Sequence, residues 1–256
     1  MDRRGLVLTG VAGAVVLGIV ALAVLPRPPR PPRDVATHEP PAPPRMTPAD
    51  LYAGFARPGV GLAFAMPVTT SAVDAGDVVL PSGKLVASDG FLMGGDAFTL
   101  DLSPGEHPVS LLRVVFDDGD QRIAAAMVRV SDGEPSSWEL ALVPGQDPAT
   151  LAPDEIFGYG VDSGTGAFTS PEAVAAVTSE ADYARYADSL MSAMPATTEA
   201  FELSGQVVVD EETGANVVAF ASGFGDGSYA SYVGRDDDGN VVAVLTDFGV
   251  LDAARD

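Results

Sequence analysis

The sequence predicts a mainly β, α+β domain of antiparallel, β-sandwich-like sheets, preceded by a membrane segment and a proline-rich stalk. Three observations carry this. Short apolar runs alternate with Gly, Asp and Pro punctuation, one stretch at about 171–194 has helical spacing, and the N-terminus holds an uncharged run of 21 residues.

That run, 5–25, would form a helix of about 31 Å, matched to a bilayer core of about 30 Å. Arg3 and Arg4 precede it, and Arg27, Arg30 and Arg33 follow. Ala21-Leu22-Ala23 also offers a small-x-small cleavage site, so 1–25 reads as an anchor or as a signal segment. Its length exceeds a signal core of about 7–15 residues and favours the anchor. The expected placement is a single-pass membrane protein with an extracytoplasmic domain, secreted if cut near Ala23. Residues 26–48 contain ten Pro and suit a polyproline II stalk, which also holds His38.

Residues 49–256 form the expected single globular domain. Residues 1–45 hold six of the 14 basic and three of the 36 acidic side chains. The remaining 211 residues thus carry eight basic against 33 acidic groups, a charge of −25. Such a surface repels phosphate, so nucleic acid is excluded as a partner. With no Cys, disulfides, thiolate metal sites and cysteine nucleophiles are excluded. Two His make a His-based triad or metal site unpromising.

In chain order, Thr47-Pro48 with Asp50 predicts a short capped helix to about Phe55. Strands are expected at 60–66, 77–80, 84–87, 97–102, 108–116, 122–130 and 137–143. Asp117-Asp118-Gly119-Asp120 is a hairpin turn between two of them. Ser170-Pro171 starts the helical region, Ser179 to Asp182 restarts it, and Pro195 ends it. Tyr183, Tyr186, Ala187, Leu190 and Met194 make its apolar stripe. Strands follow at 206–210, 216–222, 228–234 and 241–248, the last pair joined by Asp236-Asp237-Asp238-Gly239.

Several segments resemble the domain-of-unknown-function family 4241. They are Trp138-Glu139-Leu140-Ala141, the run Phe157-Gly158-Tyr159-Gly160-Val161-Asp162-Ser163-Gly164-Thr165-Gly166, the loop Gly223-Phe224-Gly225-Asp226-Gly227-Ser228-Tyr229, and Thr246-Asp247-Phe248. Upstream, Leu80 to Asp89 and Ser103 to Val109 fit the same pattern. The likeness covers about 60–251 and implies membership without an established activity.

Asp162, Asp226 and Asp247 sit in these motifs beside strand ends or Gly-rich loops, with Ser228 close by. If the loops converge, the three carboxylates are candidate ligands for Ca²⁺ or Mg²⁺. A close pair could instead act as acid and base. Asp-Ser-Gly and Gly-Asp-Gly are equally turn chemistry, in which the Asp bonds its own backbone. Trp138, Tyr183 and Tyr186 could line a groove or simply pack. No residue stands out as catalytic. The leading expectation is a membrane-anchored binding or interaction module with an unidentified protein partner. Its rival is a carboxylate-based or metal-assisted hydrolase using Asp162, Asp226 and Asp247.

Overall fold

A computed structural model describes residues 46–57, 59–153, 155–194 and 203–253. The predicted membrane segment 1–25, the stalk as far as 45 and Pro195 lie outside the described residues. Among those described, no helix is long and apolar enough to cross a membrane.

The described residues open with α1 (Pro48–Ala56), which starts in a capping box. Asp50 N–H donates to Thr47 Oγ1, and Thr47 N–H donates back to the Asp50 carboxylate, so two otherwise orphaned donors are satisfied. Six strands follow: β1 (Gly59–Ala63), β2 (Met66–Leu80), β3 (Val86–Asp89), β4 (Gly105–Val115), β5 (Gln121–Arg129) and β6 (Ser137–Leu140). Next come β7 (Tyr159–Val161), β8 (Thr165–Thr169), α2 (Pro171–Ala176) and α3 (Glu180–Ala193). The chain closes with β9 (Ser204–Val208), β10 (Asn216–Ala221), β11 (Gly227–Tyr229), β12 (Ser231–Arg235) and β13 (Val241–Asp247).

The strands form a seven-stranded sheet in the order β1-β2-β4-β5-β13-β12-β6, a four-stranded sheet β3-β8-β10-β9 and a two-stranded ribbon β11-β7. Every pairing between strands is antiparallel. The two larger sheets share one core, to which Leu111, Ile123 and Val244 contribute from the first and Phe168, Val218 and Phe220 from the second. Ile123 to Val128 are all buried. Neighbours on a strand point to opposite faces, so both faces of the large sheet are covered there. α1 packs against β2, β4 and β13. On β10, Val217 and Ala219 face a second, smaller core closed by Tyr186 and Leu190 of α3.

The mainly β, antiparallel expectation holds, and three local readings change. First, 60–66 is not one strand but β1, a turn and the start of β2, and 77–80 is only the end of a 15-residue β2. β2 runs unbroken from Met66 after a two-residue turn at Phe64 and Ala65, whose φ angles are 52° and 60°. The sequence offers no Gly or Asn to mark that left-handed turn. Second, 97–102 is not a strand. It bonds the residues flanking β3 and β6, with Phe98 N–H donating to Leu85 O, Leu102 N–H to Gly83 O, and Thr99 N–H to Leu142 O. Third, 228–234 splits at Ala230, so Tyr229 belongs to the ribbon and Ser231 to the large sheet. The helical region breaks at Val177 and restarts on Ser179, whose hydroxyl accepts from Asp182 N–H. Tyr186 and Leu190 are buried as expected, whereas Tyr183 is exposed.

Candidate functional site

The 117–120 and 236–239 turns are hairpin tips. Asp236 accepts from Asp238 N–H and Asn240 N–H, and these bonds with the Asn240 side chain hold its carboxyl below the usual range. Neither tip reaches the feature that organises the middle of the domain, which is Asp89 at the end of β3.

Asp89 is 5% exposed. Its Oδ1 accepts from Phe91 N–H at 2.8 Å, Leu92 N–H at 2.9 Å and the Ser163 hydroxyl at 2.8 Å. Its Oδ2 accepts from Asp162 N–H and Ser163 N–H, both at 2.8 Å. Burial pushes this carboxyl up, but the hydrogen bonds from Leu92, Ser163 and Asp162 outweigh it and leave it below its ordinary value. Five donors fill the roughly four lone-pair sites of a carboxylate. Asp89 therefore has no oxygen free to act as a base or nucleophile at neutral pH. It pins the β7–β8 turn to β3 across 73 residues.

The glycine-rich segments around it have steric causes. At Gly158 a Cβ would stand 2.8 Å from Tyr229 O, so the 157–160 backbone lies directly on β11. At Gly166 it would press on the Phe220 ring at 3.0 Å and on Tyr159 Oη at 3.1 Å. The 222–227 loop is closed by Tyr229, whose hydroxyl donates to Gly225 O at 2.7 Å and also reaches Ser222 O. The Tyr229 ring meets Phe248 edge-on at 4.9 Å. Tyr186 donates its hydroxyl to Gly90 O, locking α3 to the turn after β3. Burial and the Asp89 charge raise the Tyr186 phenol, and burial does the same to Tyr159. The Tyr159 hydroxyl is buried without a hydrogen-bond partner among the described residues.

These segments surround a cleft of about 420 Å³ between the edge of the small sheet and the far end of the large one. Its walls are Ala87, Ser88 and Asp89 of β3, the 92–98 loop, Ala141, Val143 and Gln146 beyond β6, and 157–160 with Tyr229 and Ser231. The volume lies within the range of small-ligand sites, about 300–1,000 Å³. Leu92, Met93, Phe98, Phe157 and Tyr159 make it largely apolar, and its charged side chains, Asp89 and Asp96, are both acids.

The sequence-predicted residues fall elsewhere. Asp162 and Asp226 are exposed and stand one position beyond the last ribbon pair, Val161 with Gly227, so they share one end of the ribbon. Asp247 and Ser228 line a different cavity of about 170 Å³. Asp247 Oδ1 accepts from Gly249 N–H at 2.8 Å. Among the described residues no three His, Asp or Glu side chains come together to hold a metal, so the proposed three-carboxylate set is not assembled. Trp138 packs on Tyr52 at 5.7 Å rather than lining a groove. His107 is buried on β4 with Nε2 2.7 Å from Ser103 O. Sequence reasoning missed Asp89 and the cleft. The available signal was Asp89-Gly90 at a strand end, which by itself reads as a turn.

Fold and site define a two-sheet, mainly β domain with an apolar cleft at the sheet edges, organised by a buried carboxylate. The chain belongs to the family described as "Protein of unknown function (DUF4241)", whose model matches residues 78–246. That span takes in Asp89, the 157–166 run and the 222–229 loop. No curated protein and no solved structure matches the chain.

Proposed function

We propose that this domain is a binding module whose ligand site is the cleft beside β3. One observation carries the reading. Three segments distant in the chain, 85–96, 157–166 and 222–231, are tied together by the Asp89 hydrogen bonds and the β7–β11 pairing and leave an apolar cleft between them. Rigid scaffolding of loops around a concave, mostly apolar space is how ligand sites are commonly built. The exposed Asp96 at its rim favours a neutral or basic ligand. The hydrolase alternative has no geometric support: Asp89 is saturated, and Asp162, Asp226 and Asp247 are divided between two places. The uncharged run 5–25 and the prolines after it favour a module held on a stalk from a membrane surface.

Gly160 offers a clean test. It lines the cleft, and a Cβ there would meet no atom within 4 Å. Gly160→Trp should fill the space while the melting temperature stays near that of the wild type. Saturation-transfer NMR with a library of small neutral and basic fragments should find compounds that bind the wild-type chain and not this variant. Equal binding to both would overturn the cleft as the site.

A further inference from the structure

The hydrogen-bond parity of β3 identifies what kind of ligand the cleft takes. In an antiparallel sheet, alternate residues turn their N–H and C=O to opposite neighbours. Ala221 N–H donates to Leu203 O, so odd-numbered residues of β10 bond toward β9 and even-numbered ones toward β8. Val218 and Phe220 thus bond Phe168 and Gly166 of β8. Ala167 and Thr169 are then left to bond Ser88 and Val86 of β3. Gly90 N–H donating to Thr165 O continues the same alternation.

Leu85, Ala87 and Asp89 must therefore turn their main-chain groups away from β8, toward the cleft. Leu85 O is taken by Phe98 N–H, and Asp89 O by Met93 N–H. Between them, the N–H and C=O of Ala87 have no partner among the described residues, although Ala87 is only 7% exposed and lines the cleft. Buried main-chain donors and acceptors are nearly always paired, and an open strand edge is a template for another strand.

The geometry points to an extended peptide segment as the ligand, added at the β3 edge through the paired N–H and C=O of Ala87. The inference rests on the cleft reading and specifies its ligand class. Main-chain pairing would supply affinity, and the apolar walls at Leu92, Phe98 and Val143 would select side chains. The peptide residue opposite Ala87 cannot be proline, because it must donate its own N–H. Asp96 at the cleft, and the −25 charge of residues 46–256, favour a basic or neutral segment over an acidic one.

The test selects random seven-residue displayed peptides on the full chain held in mild detergent, then remakes the best binders with each amide N-methylated in turn. Binding should fall at least tenfold on methylation at one inward-facing position and little at its neighbours. Amide exchange at Ala87 should slow in the complex. Gly160→Trp should abolish binding, and Gly94→Trp, where a Cβ also meets nothing within 4 Å, serves if that variant does not fold. Peptides that depend on an open cleft but tolerate methylation everywhere would overturn the edge pairing and leave the cleft standing. Peptides that bind the blocked variant equally would overturn both. Failure to select any peptide would overturn the peptide class, while the fragment experiment still decides the cleft.

Discussion

The turn after β3 and the tip between β12 and β13 use the same local chemistry with different consequences. In each, an Asp accepts main-chain N–H bonds from residues two to four positions ahead, and in each its carboxyl lies below the ordinary range. Asp236, half-buried at a hairpin tip, adds only the Asn240 side chain from within the same turn. Asp89, itself only 5% exposed, goes on to accept three more bonds from residues 162 and 163, more than 70 positions along the chain. The same turn motif is thus local punctuation in one place and the fastening of a tertiary junction in the other. Burial sets the energetic difference, because a donor stranded away from water costs far more than one that water can satisfy.

Asp89→Ala should break this comparison hardest. It strands four main-chain N–H groups and a hydroxyl, and the expected loss is more than about 3 kcal/mol in urea melts. A loss similar to that of an exposed Asp would contradict the assigned role.

The pH dependence sharpens the same contrast. Because the Asp89 carboxyl is lowered in the folded state, its contribution is fully present above the unfolded value of about 3.9. It is lost as pH falls through the still lower folded value. Wild-type stability should therefore drop below about pH 4, and Asp89→Asn should flatten that drop while being less stable at pH 7.

Glycine replacements separate packing from open space within one motif. Gly166→Ala presses on Phe220 and Tyr159 and should cost about 1–3 kcal/mol. Gly160→Ala, six residues earlier, meets nothing and should change stability by under about 0.5 kcal/mol. Equal melting temperatures for the two would show that the small sheet yields at Gly166. Smallest of all, Asp236→Ala should leave the melting temperature within a degree or two of the wild type (about the effect of an ordinary surface substitution), since its partners are already exposed.

What could be read ahead of the structure was local. The cap and N1 proline at Thr47 and Pro48, the restart at Ser179, the Gly119 and Gly239 hairpins and the alternating strands are each written within a few residues. Their hydrogen bonds close over the same short span, so residue type and spacing suffice. The Phe64-Ala65 turn escaped because it adopts left-handed backbone without the residues that normally signal it.

The sequence by itself therefore determined a mainly β, antiparallel domain, its punctuation and its acidic character. Tertiary structure alone decided that Asp89, rather than Asp162, Asp226 or Asp247, is the organising acid. It also decided that Tyr229 would leave the strand it seemed to share with Ser231, and that the edge of β3 would open onto a cleft. The physical reason is range. These outcomes rest on donors and acceptors 70 or more residues apart, or on which of two neighbours a strand residue faces, and neither leaves a periodic trace in the chain.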